Sequence, residues 1–159
     1  MTENTRTIAL TQGKVALVDA ADYEWLNQWK WCFKQGRAER HAPSDNGYRR
    51  SLLMHRVILG DIDGMCVDHI NHDPLDNRRA NLRLCTKAEN SRNRSRQRNS
   101  SSQYLGVGWH KANRKWIAEI RINGKSGYLG SFDNEIDAAK AYDKAARELH
   151  GEFANPNFP

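Results

Sequence analysis

Val67-Asp68-His69-Ile70-Asn71, read with Asn77-Arg78-Arg79-Ala80-Asn81-Leu82-Arg83 and Glu89-Asn90, decides how this chain is understood. The stretch sets a carboxylate beside an imidazole and follows them with an asparagine-rich loop. Asp68 is a hard oxygen ligand suited to Mg²⁺. His69 has the intrinsic pKa of a base near neutral pH. Neighbouring strand residues point to opposite faces, so the two can share a site only near a strand end or turn. Pro74-Leu75-Asp76-Asn77 supplies the loop behind them, and Asn81 returns to hydrogen-bond across it and orient His69. Thr86-Lys87-Ala88-Glu89 is a capping box. It predicts a helix start that puts Asn90 in the opening turn, its side-chain oxygen available to complete a metal shell. Phosphodiester cleavage needs a nucleophile, a base, and positive charge on the developing phosphorane. One water, His69 and one divalent cation between Asp68 and Asn90 meet that need.

The rest of the chain names the polymer. Its net charge of +6 and pI near 9.4 favour a polyanionic partner. Residues 90–103 hold Arg92, Arg94, Arg96 and Arg98 with no acid and no large apolar residue, so they read as a helix end running into a basic linker. No apolar run is long enough to span a bilayer, and the first residues lack a signal-peptide core. A cytoplasmic protein of a bacterial or phage-infected cell is expected. Three cysteines and no CxxC pair predict reduced, mostly buried thiols rather than a disulfide framework or structural zinc.

The 159 residues allow one domain of ordinary size or two small ones. The expected fold class is α+β, in three pieces: residues 1–89, a nuclease domain with a β-rich extension; 90–103, the nuclease helix end and linker; and 104–159, a second domain. Val15 to Val18 predicts a strand. Tyr23, Leu26 and Trp29, spaced by three, predict a helix within Asp22 to Lys30. Trp31 to Phe33 and Tyr48 to Met54 read as strands with Asn46-Gly47 as the turn between them, and His55 to Leu59 as a short helix ended by Gly60. After the linker, Gly106 to Trp109, Trp116 to Ile122 and Tyr128 to Phe132 predict a three-stranded antiparallel sheet, with Asn123-Gly124 as a hairpin turn. Asp133 or Asn134 caps a helix with Ile136, Ala139, Tyr142, Ala146 and Leu149 on its core face, ended by Gly151.

The opening residues, with Leu53-Met54-His55-Arg56 and Leu75-Asp76-Asn77-Arg78, resemble the HNH endonuclease motif of phage and mobile-intron homing enzymes, over residues 53–95. The resemblance implies a ββα-metal fold in which two strands and a helix surround one cation. It assigns His69 as general base, Asp68 and Asn90 as metal ligands, and Asn81 as the orienting asparagine. Asn90 replaces the final histidine, a variant used in the homing branch, and argues for Mg²⁺, with Mn²⁺ as the alternative. His55 has two open readings, packing under the ββα unit or touching phosphate. His72 stands where a glycine is expected and is read as exposed; His41, His110 and His150 default to surface.

Tyr104-Leu105-Gly106-Val107, Trp116 to Arg121, Tyr128 to Phe132, Asp137 to Asp143 and Asn157-Phe158-Pro159 resemble the plant APETALA/ethylene-response-factor DNA-binding domain. That resemblance implies a sheet laid in the DNA major groove and backed by the helix. The charges agree: residues 104–132 hold five Lys/Arg and one acid, residues 133–159 three basic and six acidic residues. Alternation along β-structure puts Trp116, Ala118, Ile120 and Ile122 on one face and Ile117, Glu119 and Arg121 on the other. Arg121 and Glu119 suit base edges, with Tyr128 beside them, while Lys111, Arg114 and Lys115 suit phosphates. The linker arginines suit the backbone or minor groove. Leu105, Gly108 and Tyr128 depart from the plant pattern, so the plant target does not carry over.

The reading is therefore a metal-dependent, site-directed DNA endonuclease of the homing type. It acts on double-stranded DNA, with no membrane or small-molecule substrate, as a monomer or weak dimer. The alternatives are a DNA-binding regulator with an inactive nuclease fold and a structure-selective nuclease on RNA or branched DNA. Residues 1–52 either complete the nuclease core or add DNA contacts.

Overall fold

The computed structural model describes residues 4–43, 49–92, 100–122 and 124–158, with Arg92 described by its backbone alone. The chain divides into two compact units, Met1–Thr86 and Lys87–Pro159.

In the first unit, β1 (Thr5–Ala9) pairs antiparallel with β2 (Val15–Asp19), from Thr5 opposite Asp19 to Ala9 opposite Val15. Alternation buries Ile8 and Leu10 on one arm and Ala16 and Val18 on the other. α1 (Ala20–Leu26) follows at once and buries Leu26. β3 (Cys32–Lys34), β4 (Arg37–Ala42) and β5 (Arg50–Leu53) form an antiparallel sheet in that order. Gln35 (φ 49°) and Gly36 (φ 82°) join β3 to β4, the two left-handed residues that a tight hairpin turn demands. α2 (Met54–Leu59) buries Met54, His55 and Ile58 and stops at Gly60. β6 (Cys66–His69) and β7 (Leu82–Cys85) close the unit as a two-stranded ribbon.

One apolar core joins these parts. Ile8, Val18, Leu26, Trp31, Met54, Ile58 and Leu82 belong to it, so the β-rich extension shares its core with the last strand of the motif. This favours the first reading of residues 1–52.

Several expectations need correction here. β1 and β4 were not legible; β4 carries Arg37, Glu39, Arg40 and His41, too polar for an apolar alternation, and it is β4 that pairs with β5. The Asn46-Gly47 turn lies outside the described residues. α1 ends at Leu26, so Trp29 falls beyond it, 49% exposed, with the Arg40 guanidinium 4.2 Å from its ring centre. Trp31 takes the buried place instead, and its Nε1 donates to Leu26 O at 2.9 Å. The three cysteines are free, but Cys32 is exposed.

The second unit opens with the short helix α3 (Lys87–Arg92). Its sheet consists of β8 (Val107–His110), β9 (Lys115–Ile122) and β10 (Lys125–Phe132), antiparallel with β9 central. Asn123 of the expected hairpin turn lies outside the described residues. α4 (Glu135–His150) is capped by Asn134, whose side chain accepts from Ile136 N at 2.8 Å. The core takes Val107, Ala118 and Ile120 from the sheet and Ala138, Ala139, Tyr142 and Ala146 from the helix.

Ile136 (42% exposed), Leu149 (48%) and Ile122 (37%), all expected inside, are outside. The helix meets the sheet through alanines, Ala138 and Ala139 among them, and these take the buried places. His150, expected outside, is buried because it stands four residues after Ala146 on the inner face. Asp143 is buried and ties down the chain's end. It accepts from Asn157 N (2.7 Å), Asn157 Nδ2 (2.9 Å) and Phe158 N (2.8 Å), while Asn157 Oδ1 accepts from Leu105 N (2.6 Å). Among the described residues no helix is long and apolar enough to cross a membrane.

Candidate active site

His69 is the last residue of β6, the strand-end position that lets two adjacent side chains serve one place. Register sets Asp68 opposite Arg83 and His69 opposite Leu82. Arg83 uses that register: its Nε and Nη2 donate to Asp68 Oδ2 at 2.9 and 2.8 Å. Both side chains are largely buried, 14% and 7% exposed, so the pair is held in one geometry.

Beyond His69 the chain makes a loop held by its own polar groups. Ile70 N donates to Asn81 O (2.9 Å) and Asn71 N to Asn81 Oδ1 (3.0 Å), while Asn81 Nδ2 donates to Asp76 O (2.8 Å). Asn81 thus clasps both sides of the loop. It acts through the loop backbone rather than on the imidazole. Inside the loop, Asp73 N donates to Asn71 Oδ1 and Leu75 N to Asp73 Oδ1, at 2.9 and 3.0 Å. His72 is exposed with φ 63°, the left-handed backbone that a glycine takes at no cost. Asp76 is buried and accepts from Arg78 Nε (2.7 Å), Arg78 Nη2 (2.6 Å) and Asn71 Nδ2 (2.9 Å). The Arg78 hydrogen bonds hold its carboxyl below the usual carboxylate range.

The extension fastens this loop from outside. Leu17 N donates to Leu75 O and Asn77 N to Leu17 O, both at 2.8 Å, so β2 and the loop are stitched together. Arg79 N donates to Asp19 Oδ2 (2.8 Å), and the Arg79 guanidinium forks onto Asp22 at 2.8 and 2.9 Å.

Two side chains frame the imidazole. His55 stands edge-on to it, ring centres 5.0 Å apart and planes at 85°. This settles His55 as a packing residue. Burial, reinforced by the charges of His69, Arg37 and Arg56, pushes its pKa down to about 3. Asn77 is the second. It is 1% exposed. Its Nδ2 donates to Leu75 O at 3.2 Å, and its amide oxygen is buried. The Nε2 edge of that ring is buried. Burial lowers the His69 pKa, opposed by the Asn77 hydrogen bond and by Asp68 and Asp73, while Arg37 adds to the lowering. The net shift is downward, toward the neutral imidazole.

Among the described residues no group of three His, Cys, Asp or Glu side chains forms a metal cage. One carboxylate with amide oxygen donors suits a hard cation that keeps waters and takes phosphate oxygens, so the donor chemistry of Asp68 and Asn90 fits Mg²⁺. Asn90 lies in α3, which groups with the second unit.

Of the residues named for DNA contact, Arg94, Arg96 and Arg98 lie outside the described residues, and Arg92 is described by backbone alone. The others are on the second unit. Lys111 and Arg114 are exposed in the β8–β9 turn, Arg114 with φ 50°. Lys115 Nζ lies 3.0 Å from Asp133 Oδ1. Glu119, Arg121 and Tyr128 are exposed on one face of the sheet, with Tyr128 opposite Glu119 and Ser126 opposite Arg121. Ser126 Oγ donates to Glu119 Oε2 at 3.1 Å. Residues 128 to 130 form a bulge there, since Gly130 and not Leu129 pairs with Ala118.

Sequence reading missed Arg83, Asn77 and Asp22 as site residues. Asn77 and Arg83 were in the quoted motif, but their partners depend on register and on a loop closing over β2. Asp22 is distant in sequence and carried no signal.

Residues 53–92 match the family model for HNH endonucleases. An uncharacterised HNH endonuclease of Acanthamoeba polyphaga mimivirus is 33% identical over 152 residues, covering 92% of this chain and 76% of the viral protein. Protein 3.8 of Escherichia phage T7 is 35% identical over 107 residues, 67% of this chain and 88% of the phage protein. The AP2-like ethylene-responsive transcription factor TOE2 of Arabidopsis thaliana is 44% identical over 61 residues, 38% of this chain but 13% of the plant protein.

Proposed function

The chain belongs to the HNH endonucleases, and from that premise we propose that it is a homing-type enzyme cutting double-stranded DNA at a site chosen by its second unit. The nuclease activity and DNA as partner follow from the family and from the similarity to DNA-binding factors; the target type, the metal and the residue roles are the proposal.

One observation carries it. His69, buried on its Nε2 edge, is framed by His55 and Asn77 next to Asp68. If Asn77 accepts the Nε2 proton, the neutral tautomer is fixed with the Nδ1 lone pair outward. His69 then takes a proton from water as the water attacks phosphorus in line with the leaving oxygen. Asn81 holds the loop that sets the ring's position, and Arg83 orients the Asp68 carboxylate. A bound Mg²⁺, or Mn²⁺, supplies the charge that stabilises the phosphorane and leaving oxygen. Asp68 is its proposed carboxylate ligand, and Asn90 is proposed from its place in the motif.

Glu119, Arg121 and Tyr128 are the proposed base-reading face. Lys111, Arg114, Lys115 and the linker residues Arg92, Arg94, Arg96 and Arg98 are proposed for phosphates. A monomer or weak dimer with one active site per chain nicks one strand at a time.

The test is nicking of supercoiled plasmid in Mg²⁺ by wild type and His69→Ala, with DNA binding measured in parallel. Wild type nicks, and the variant binds but does not nick. A second reading, a DNA-binding regulator with an inactive nuclease fold, is favoured by the two donors Arg83 already spends on Asp68. DNA binding by a wild-type protein that cuts no substrate in Mg²⁺ or Mn²⁺ would support it instead.

A further inference from the structure

The first unit holds a second basic feature that the motif does not account for. An open cleft of about 480 Å³ lies between the β3–β4–β5 sheet and α2. Its wall carries four cations, Lys34, Arg37, Arg50 and Arg56, against two acids, Glu39 and Asp61.

The acids shape the cations rather than cancel them. One exposed carboxylate, Asp61, takes Arg50 Nη2 on Oδ2 at 2.8 Å and Arg56 Nη1 on Oδ1 at 2.6 Å. Two guanidiniums are thereby set side by side, with donors left over, at a cost of one negative charge. Lys34 Nζ is 3.2 Å from Glu39 Oε1. Arg37 differs from the other three. It is exposed and enters no ion pair among the described residues. The α2 wall of the cleft carries Arg56, the neighbour of His55, and the His55 ring centre lies 5.0 Å from that of His69, so the cleft opens near the candidate base.

We infer that this cleft is the track for the phosphodiester backbone of the strand being cut, with Arg37 on a phosphate next to the scissile one and the Arg50–Arg56 pair on the phosphate beyond. Guanidiniums suit phosphate oxygens by their fork of donors, and a strand leaving His69 past Arg37 meets the paired arginines next. The inference rests on the nuclease reading for its orientation and deepens it. The N-terminal extension then contributes substrate grip as well as core.

The test uses the full chain with benzoylphenylalanine in place of Ser51, an exposed residue of the cleft wall, irradiated with duplex DNA in the absence of metal. DNA crosslinking is expected, and neither inorganic phosphate nor dAMP at millimolar concentration should suppress it. In parallel, the Arg37→Ala and Arg50→Ala double variant, checked for native melting, is titrated with DNA across a salt series. Each lost phosphate contact should flatten the slope of log affinity against log salt by roughly 0.9, and plasmid nicking should fall at least tenfold. Absence of a crosslink together with an unchanged salt slope in the folded double variant overturns the inference. So does suppression of the crosslink by dAMP or phosphate, which would mark a site for a small free anion. A wild type that never nicks, with a Ser51-substituted chain that crosslinks DNA through the cleft, defeats the nuclease reading alone. One that nicks without crosslinking or salt effect defeats the cleft alone.

Discussion

His55 makes the first unit sensitive to acid in a way that can be calculated. Its ring is 5% exposed and lies against His69. Burial is the main cause that takes its pKa from 6.5 to about 3. The folded pKa is depressed, so the unfolded chain binds the proton first, and stability is lost as pH falls below the unfolded value of 6.5. At 1.36 kcal/mol per unit, the loss from this one group between pH 7.5 and 4.5 is roughly 2.7 kcal/mol, and the full window down to the folded value is worth on the order of 5 kcal/mol. His55→Gln keeps a polar side chain of similar volume and removes the titration. Urea unfolding of wild type and variant at both pH values, in a Trp109→Phe, Trp116→Phe background so that fluorescence reports the first unit, isolates the term. Carboxylates titrate in both proteins and cancel in the comparison, while His69, whose charge adds to the His55 shift, is coupled to it and shares in the difference. Wild type should lose 2–3 kcal/mol more than the variant on acidification, an estimate set by the linkage relation. Equal losses in the two proteins would show that His55 is not held neutral in the folded unit.

Three further outcomes follow from the same geometry. Asp22→Ala removes the forked partner of Arg79 and should cost the first unit roughly 2 kcal/mol in urea unfolding, with slower plasmid nicking because the loop behind His69 loosens. Gly106→Ala should unfold the second unit, a loss of at least ~3 kcal/mol, and abolish site-selective binding. At φ +69° its Cβ would stand 2.0 Å from the Tyr142 ring and 2.6 Å from Glu119 O, and hydrogen exchange in β9 would report the loss. The rate of nicking should fall with acid through a limb centred below 6.5, since the base must be neutral and burial lowers the pKa of His69. In Asn77→Asp a carboxylate beside the ring should move that limb upward, whereas a purely structural role for Asn77 would lower the rate without moving the limb.

Sequence alone settled the parts whose causes are local. The Thr86-Lys87-Ala88-Glu89 box marked the start of α3, Gly60 the end of α2, and alternation in β9 the burial of Ala118 and Ile120 against exposed Glu119 and Arg121. The strand-end requirement on Asp68 and His69 was also legible, because backbone pleating dictates it. Tertiary structure decided what depends on partners far along the chain. β4 is polar and forms only because β3 and β5 take its backbone hydrogen bonds. Ile136 and Leu149 have core-like side chains on a core-like period, yet they stay in water while Ala138, Ala139 and Ala146 take the buried places. Arg83 meets Asp68 through strand register, Arg79 meets Asp22 across 57 positions, and Asn77 is set in place only once its N–H donates to Leu17 O of β2. The motif names its chemical groups by type and order. Their protonation and orientation come from burial and long-range hydrogen bonds, which exist only once the extension has packed against the loop.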